Sequence, residues 1–274
     1  MIKVKELLKN TSQCLQNANI ERASREAQLL FMAFENVDEL WLITNQNTEV
    51  KEKPAFDSWV KRRCENEPFE YITNSVSFYS ETFFIKEGAL IPRPETEVLI
   101  DKVIENFSDK DAEVTFVEVG VGSGIISIML AKHYVNAKFI AVDISQAALE
   151  IAKENIKRHN LEERIELRLG SLLEPIDERI DYLVSNPPYI ANDEELESNL
   201  SYEPQNALFG GTIGDEIIQE LLDEVLKRKI KFFSCEMGYD QKDKIQNYLK
   251  NNSYESLVFY KDLSDFDRGF TLKV

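Results

Sequence analysis

From about residue 114 the sequence alternates short apolar runs with helical patterns, and this alternation limits the fold more than any other feature of the chain. Val114–Val119 reads as a strand, 124–135 as a helix, Phe139–Val142 as a strand, 145–159 as a helix and Ile165–Leu169 as a strand. Ile180–Ser185, a helix over 214–228, Lys231–Met237 and a helix over 239–250 continue the pattern. The apolar runs Ser256–Tyr260 and Phe270–Val274 close the chain. Such an order predicts an α/β fold with a doubly wound, mostly parallel sheet. In sheets of this kind ligands sit beyond the carboxyl ends of the strands, so the residues that end each strand are the ones to read for chemistry.

The residues before this region follow a different pattern. Residues 2–72 read as helices, with Leu7, Leu8, Cys14 and Leu15 on one apolar face and Ala27, Leu29, Leu30 and Ala33 on another. Leu40-Trp41-Leu42 and Phe56, Trp59 and Val60 follow. The alternating aromatic stretch from Val76 to Ile85 predicts a β-hairpin, taken as the joint between two domains. Beyond it Pro94 suits the first turn of a helix, and Glu95 and Glu97 complement that helix's positive end.

Four strand ends carry chemistry. Glu118-Val119-Gly120-Val121-Gly122-Ser123-Gly124 follows the first strand, where glycines let a cofactor approach the backbone and leave helix N–H groups facing it. Nicotinamide enzymes want a glycine at the sixth place, and here that place is Ile125. The second strand ends at Asp143, where a carboxylate can accept from both hydroxyls of a ribose. A nucleoside-bearing cofactor is expected. Ser171 and Leu172, after the third strand, supply an adenine edge contact and an apolar lid.

The fourth strand end is Ser185-Asn186-Pro187-Pro188-Tyr189, after the apolar run Tyr182-Leu183-Val184. The Asn186 side-chain carbonyl and the Pro187 C=O are two stiff acceptors, able to take both hydrogens of a planar NH2 group with Tyr189 lying over it. By this argument the stretch grips an amide or an aromatic amine. Its plainer meaning is a loop that ends a strand.

Charge narrows the partners. The net charge is −17, and residues 1–80, with 10 Lys and Arg against 12 Asp and Glu, leave −15 for residues 81–274. So acidic a body repels phosphate backbones, and direct nucleic-acid binding is not expected. Lys61-Arg62-Arg63 reads as a solvated helix face. Cys14, Cys64 and Cys235 lie far apart without zinc spacing, His133 and His159 read as surface residues, and neither a metal site nor a disulfide framework is expected. The start of the chain alternates charged with apolar residues and no run is long enough to span a bilayer, so a cytoplasmic, membrane-free protein is expected.

The order Glu118-Val-Gly-Val-Gly-Ser-Gly124, Asp143, Asn186-Pro-Pro-Tyr189 resembles the amino-group branch of S-adenosylmethionine-dependent methyltransferases. That branch includes adenine N6 and protein-glutamine methyltransferases. Two further stretches, Leu90-Ile91-Pro92-Arg93-Pro94-Glu95-Thr96-Glu97 and Tyr202-Glu203-Pro204-Gln205-Asn206-Ala207-Leu208, are similar to the HemK/PrmC family of peptide-chain release factor glutamine methyltransferases. The likeness runs from Glu26-Ala27-Gln28-Leu29-Leu30 to Asp267-Arg268.

The resemblance implies a helical substrate-docking domain over 1–74, a hairpin linker over 75–90 and a seven-stranded, Rossmann-like methyltransferase domain over 91–274. It implies S-adenosylmethionine as cofactor, held by Gly120, Val121, Gly122, Ser123, Gly124, Asp143, Leu172 and Asn186. Asn186, Pro187 and Tyr189 become catalytic, and Pro188 joins them in binding the substrate, the glutamine of the Gly-Gly-Gln motif in class-one release factors. A monomer is expected. Where many relatives carry an acidic residue this chain has Ser171, which accepts from an adenine amine more weakly, so lower cofactor affinity is expected. The alternative activity is adenine N6 methylation of RNA or DNA, which would want a basic reading surface; a non-catalytic binding protein would have no need of both acceptors.

Overall fold

The computed structural model describes residues 1–51, 53–195 and 198–274. They form two compact units, one holding Met1–Ser75 with the 3-10 turn Ser198–Tyr202, the other the remaining described residues.

In the first unit a short strand β1 (Ile2–Lys3) leads into α1 (Val4–Asn17), α2 (Ala23–Glu35) and α3 (Glu39–Thr44). A second short strand, β2 (Glu49–Val50), pairs with β1 and precedes α4 (Pro54–Cys64) and α5 (Phe69–Thr73). The helical spacing turns Val4, Leu15, Ala27, Leu30, Phe31, Phe56 and Val60 into one core. Asp38 caps α3 by accepting from the Trp41 N–H, and Pro54 opens α4, where the missing N–H costs nothing. The small β1/β2 pair was not expected within a helical stretch. Cys14 and Cys64, 50 residues apart in sequence, bring their sulfurs to 3.3 Å as free thiols.

The second unit opens with the hairpin β3 (Val76–Phe78) and β4 (Glu81–Phe83). Tyr79 and Ser80 make its two-residue turn with φ of +53° and +61°, a conformation usually left to glycine or asparagine. Contacts to the helix that follows, α6 (Thr96–Asn106), hold it: the Tyr79 N–H donates to Glu97 at 2.7 Å and its hydroxyl donates to Asp101. Pro94 lies before α6 rather than in its first turn. The Thr96, Glu97 and Val98 N–H groups reach back three residues to Arg93, Pro94 and Glu95, so a tight 3-10-like turn leads into the helix.

There follow β5 (Thr115–Val119), α7 (Ile125–His133), β6 (Lys138–Asp143), α8 (Gln146–Arg158), β7 (Ile165–Leu169) and β8 (Tyr182–Ser185). A small parallel pair, β9 (Ile190–Ala191) and β10 (Phe209–Gly211), then precedes α9 (Glu216–Arg228), β11 (Phe232–Glu236), α10 (Lys242–Leu249), β12 (Ser256–Lys261) and β13 (Asp267–Lys273). The main sheet has seven strands in the order β12-β13-β11-β8-β5-β6-β7, with β13 antiparallel to both neighbours. It is the mostly parallel, Rossmann-like sheet expected.

The alternation of strand side chains divides the core. Val117, Val119, Val142, Leu183 and Phe233 point to the face covered by Ile218, Leu221 and Leu222 of α9 and Ile245 and Leu249 of α10. On the other face Phe139, Phe116, Tyr182 and Phe232 stack across four neighbouring strands at ring separations of 5.0, 5.2 and 5.4 Å. This ladder sits near the start of the strands and joins them laterally, leaving their carboxyl ends free for a site. The order turns at β5 and β8: the chain runs from β5 to β6 on one side, and from β8 to β11 on the other. A crevice opens there.

Candidate active site

Beyond β5 the backbone takes φ values of +75°, +53° and +84° at Gly120, Gly122 and Gly124. A Cβ on Gly124 would stand 3.3 Å from the Ala152 backbone of α8, so this position needs a bare backbone for two reasons, conformation and close helix packing. Asp143, the last residue of β6, organises the loop. Its Oδ2 accepts the Gly122 N–H at 2.9 Å and its Oδ1 the Ser145 N–H at 2.8 Å. Burial raises the Asp143 pKa, against the amides of Gly122, Ser145 and Ile144, which pull it down. Asn155, fully buried on α8, donates to the Ser123 C=O at 2.8 Å and exchanges two hydrogen bonds with the Phe84 backbone, tying the loop to the hairpin's exit.

Glu118 lies on the β5 face opposite Val117 and Val119 and is 1% exposed. Its Oε2 accepts from the backbone N–H of Ser127 at 2.9 Å and from the Ser127 hydroxyl. Its Oε1 is buried with no partner among the described residues. Desolvation pushes this carboxyl up to about 8, against the two Ser127 bonds, so without a donor at Oε1 it keeps its proton at neutral pH.

At the end of β8 the Ser185 hydroxyl donates to the Val119 C=O at 2.8 Å, locking the two strands that flank the crevice. Asn186 donates from Nδ2 to the Thr96 hydroxyl at 3.1 Å, which leaves Oδ1 without a protein donor among the described residues. The Thr96 hydroxyl in turn donates to Glu236 at 2.8 Å. Downstream, Gln241 donates to the Tyr189 C=O at 3.0 Å, and the Ile190 N–H donates to the Leu208 C=O at 3.0 Å. A Cβ on Gly210 would fall 2.4 Å from the Pro188 C=O, so β10 can press against the proline pair only as glycine. The two prolines are thus held from both sides.

The two stretches outside the central motifs meet through one carboxylate. Glu203, 5% exposed, accepts the Ile91 N–H at 2.8 Å and a hydrogen bond from the Arg93 guanidinium. This joins the segment before α6 to the segment before β10, and Arg93, Thr96, Pro204, Asn206 and Ala207 all face the same cavity.

Gly120, Val121, Gly122, Ser123, Asp143, Leu172, Asn186, Pro187 and Pro188 line that cavity, and so do Glu118 and Ser171. Two residues read from sequence do not. Gly124 starts α7 and packs on α8. Tyr189 packs against the apolar core and points its hydroxyl at Glu236, 3.3 Å away, instead of lying over the cavity. Its ring joins the core that α9 and α10 cover, a placement that no local sequence pattern shows. The histidines are half-buried rather than on the surface, with His159 against the Phe83 ring at 4.7 Å.

Sequence reasoning gave no role to Thr96, Glu236, Asn155 or Glu203. Each carried a signal: a carboxylate closing the apolar run of β11, an asparagine at an apolar position of α8, and a threonine and glutamate inside the two quoted stretches. Among the described residues no cluster of His, Cys, Asp and Glu could hold a metal ion, and no helix is long and apolar enough to cross a membrane.

Comparison with known proteins agrees with this architecture. The PrmC N-terminal domain family matches residues 6–73 and the methyltransferase small domain family matches residues 95–208. A release factor glutamine methyltransferase from Clostridium acetobutylicum is 33% identical over 97% of both chains. Its counterpart from Clostridium botulinum is 36% identical, again over 97% of both. Among solved structures, the hMettl16 catalytic domain in complex with the MAT2A 3'UTR hairpin 1 superposes with a TM-score of 0.60 at 13% identity, covering 84% of each chain, a likeness of fold. Near-complete coverage at about one-third identity, with both domain families in order, places the chain in the release factor glutamine methyltransferase family as an S-adenosylmethionine-dependent methyltransferase.

Proposed function

We propose that this protein transfers a methyl group from S-adenosylmethionine to N5, the side-chain amide nitrogen, of the glutamine in the Gly-Gly-Gln motif of class-one release factors, in support of translation termination. The observation that carries the reading is Asn186. Its NH2 group is engaged by Thr96, and its Oδ1 remains as an acceptor beside Pro187 at the cavity wall.

The cavity's own residues fit the cofactor. The glycine loop offers backbone without side chains, and the space in front of Gly122 is open, with nothing within 4 Å of where its Cβ would stand. Asp143 keeps lone pairs beyond the two backbone amides it accepts from, and these would take ribose hydroxyls. The unpartnered Oε1 of Glu118 suits a cationic donor such as the cofactor's α-ammonium group, and Leu172 and Ile144 would cover an adenine. When bound, S-adenosylmethionine supplies an electrophilic methyl group on a sulfonium.

Asn186 Oδ1 and the Pro187 C=O would accept the two N–H bonds of the glutamine amide and aim its nitrogen. An amide nitrogen is a weak nucleophile because its lone pair is shared with the carbonyl, so alignment is the main lever; well-oriented reactions reach effective molarities of roughly 10⁵–10⁸ M. With the cofactor bound, the aligned nitrogen would take the methyl as its bond to sulfur breaks, and the proton that the cationic, strongly acidic nitrogen then sheds would go to water. The residues need supply no base before transfer. The helical unit is proposed to dock the release factor, and a substrate that works on the ribosome places the reaction in the cytoplasm.

The test is intact-mass and peptide mass spectrometry of a purified class-one release factor incubated with this protein and S-adenosylmethionine, beside a release factor whose Gly-Gly-Gln glutamine is alanine. One added methyl on that glutamine, absent from the control, is expected. An unmodified release factor would overturn the reading, and methyl transfer to RNA or DNA would replace it.

A further inference from the structure

The Asn186 amide could sit either way round, and only one orientation serves an NH2 substrate. Its neighbour, the Thr96 hydroxyl, has one proton and two lone pairs. The proton goes to Oε2 of Glu236 at 2.8 Å, so the oxygen has only lone pairs to offer Asn186, and it meets Nδ2 at 3.1 Å. A flipped amide would set Oδ1 against those lone pairs, with no proton between. Glu236, 1% exposed, accepts at its other oxygen from the Tyr189 hydroxyl at 3.3 Å, so as a carboxylate it only accepts.

We propose that Thr96 and Glu236 are positioning residues that fix the orientation of the Asn186 amide, turning Oδ1 to the substrate. This rests on the glutamine-amide reading above and deepens it. The pair comes from two distant parts of the chain, the start of α6 and the end of β11, 140 residues apart. Thr96 is 2% exposed, so its hydroxyl takes its partners from the protein.

The chain of hydrogen bonds has a polarity that protonation can reverse. A proton on Oε2 of Glu236 would let it donate to Thr96, free the threonine proton for Asn186, and permit the flipped amide. Burial brings this carboxyl up to about 7, against Thr96, the Arg268 charge and Tyr189, which lower it, with Glu95 pushing it further up. Tyr260 and Cys235 also face it and stay neutral, since burial raises both. Arg268 is held in place by Asp262, at 3.0 and 2.8 Å. Turnover should therefore fall as pH drops through about 7.

Thr96→Val removes the hydroxyl at nearly constant volume, and Thr96→Ser restores it. With a release factor as substrate, Thr96→Val is expected to lower kcat at least tenfold at pH 8 while the cofactor Kd stays within threefold. Thr96→Ser should return kcat to within threefold of wild type, and the fall of kcat below pH 7 should be present in wild type and in the serine variant. A Thr96→Val enzyme with wild-type kcat, or a serine variant as slow as the valine one, would overturn the proposal.

A second readout is independent of the substrate. In the 15N–1H spectrum the side-chain NH2 signal of Asn186, assigned by its loss in Asn186→Ala, is expected to shift in Thr96→Val, to hold in Thr96→Ser, and to titrate near pH 7 in wild type. If wild type methylates no release factor, the substrate reading fails and this spectrum still decides the relay. An Asn186 signal unmoved by Thr96→Val rules the relay out.

Discussion

Asp143 and Asn186 do different work although both end buried strands. Asp143 uses each oxygen to hold a backbone amide, of Gly122 and of Ser145, so it shapes the glycine loop before any ligand arrives. Asp143→Ala strands two N–H groups, each costing about 1–3 kcal/mol if left unsatisfied. The cofactor Kd is expected to rise at least tenfold by isothermal titration, and an unchanged Kd would sink the ribose assignment. Among the described residues Asn186 supports no other element through its Oδ1. Asn186→Ala should therefore leave the cofactor Kd within a few-fold and lower kcat by roughly 10²-fold or more, the loss of an acceptor and of the orientation it gives. A cofactor Kd that rose as far as kcat fell would mean that Asn186 serves the cofactor instead.

At the scale of elements, Asn155 is the clearest case of one side chain holding several together. From the middle of α8 it bonds the hairpin exit at Phe84 and the glycine loop at Ser123, three hydrogen bonds without solvent. Asn155→Ala is expected to lower stability by about 3 kcal/mol, read as a lower urea midpoint at unchanged slope. Cofactor affinity should fall with it; a midpoint unmoved from wild type would show that the contacts carry no weight. Much of this layer was legible beforehand. Buried parallel strands are mostly apolar runs, so β5, β6, β8 and β11 stand out within a residue or two, while the edge strand β7 shows as apolar residues alternating with charged ones. The late starts of α9 at Glu216 and α10 at Lys242 do not, because the chain before each still shapes the site. Gly214 sits with φ +86° against the Tyr189 carbonyl, and Gln241 bonds that same carbonyl. Partners such as Thr96 with Glu236, or Glu203 with Ile91, lie more than 100 residues apart, and no local pattern links them.

Across the whole molecule, burial of carboxylates at the strand ends sets how stability responds to pH. Glu118 is pushed up to about 8 and Glu236 to about 7, both by desolvation. A carboxyl whose folded pKa lies above its unfolded value stabilises the fold below the unfolded pKa, and that contribution is lost as pH rises through the folded one. Between pH 6.5 and 8 the unfolded chain already has both groups ionised, while the folded protein must release their protons into a dry interior. His159, whose pKa burial lowers, acts with the opposite sign, but chiefly below pH 6.5, where the unfolded histidine takes up a proton. Glu178, held down to about 2 by Arg168, is ionised throughout this range. The urea midpoint of the cofactor-free protein is therefore expected to fall from pH 6.5 to 8, with Glu118 contributing on the order of 1–2 kcal/mol. Glu118→Gln keeps an acceptor for Ser127 and removes the ionisation, so it should be more stable than wild type at pH 8 and show a flatter midpoint curve. A curve as steep as wild type would mean that Glu118 is already ionised at pH 6.5, and that the orphaned Oε1 is satisfied before any ligand binds.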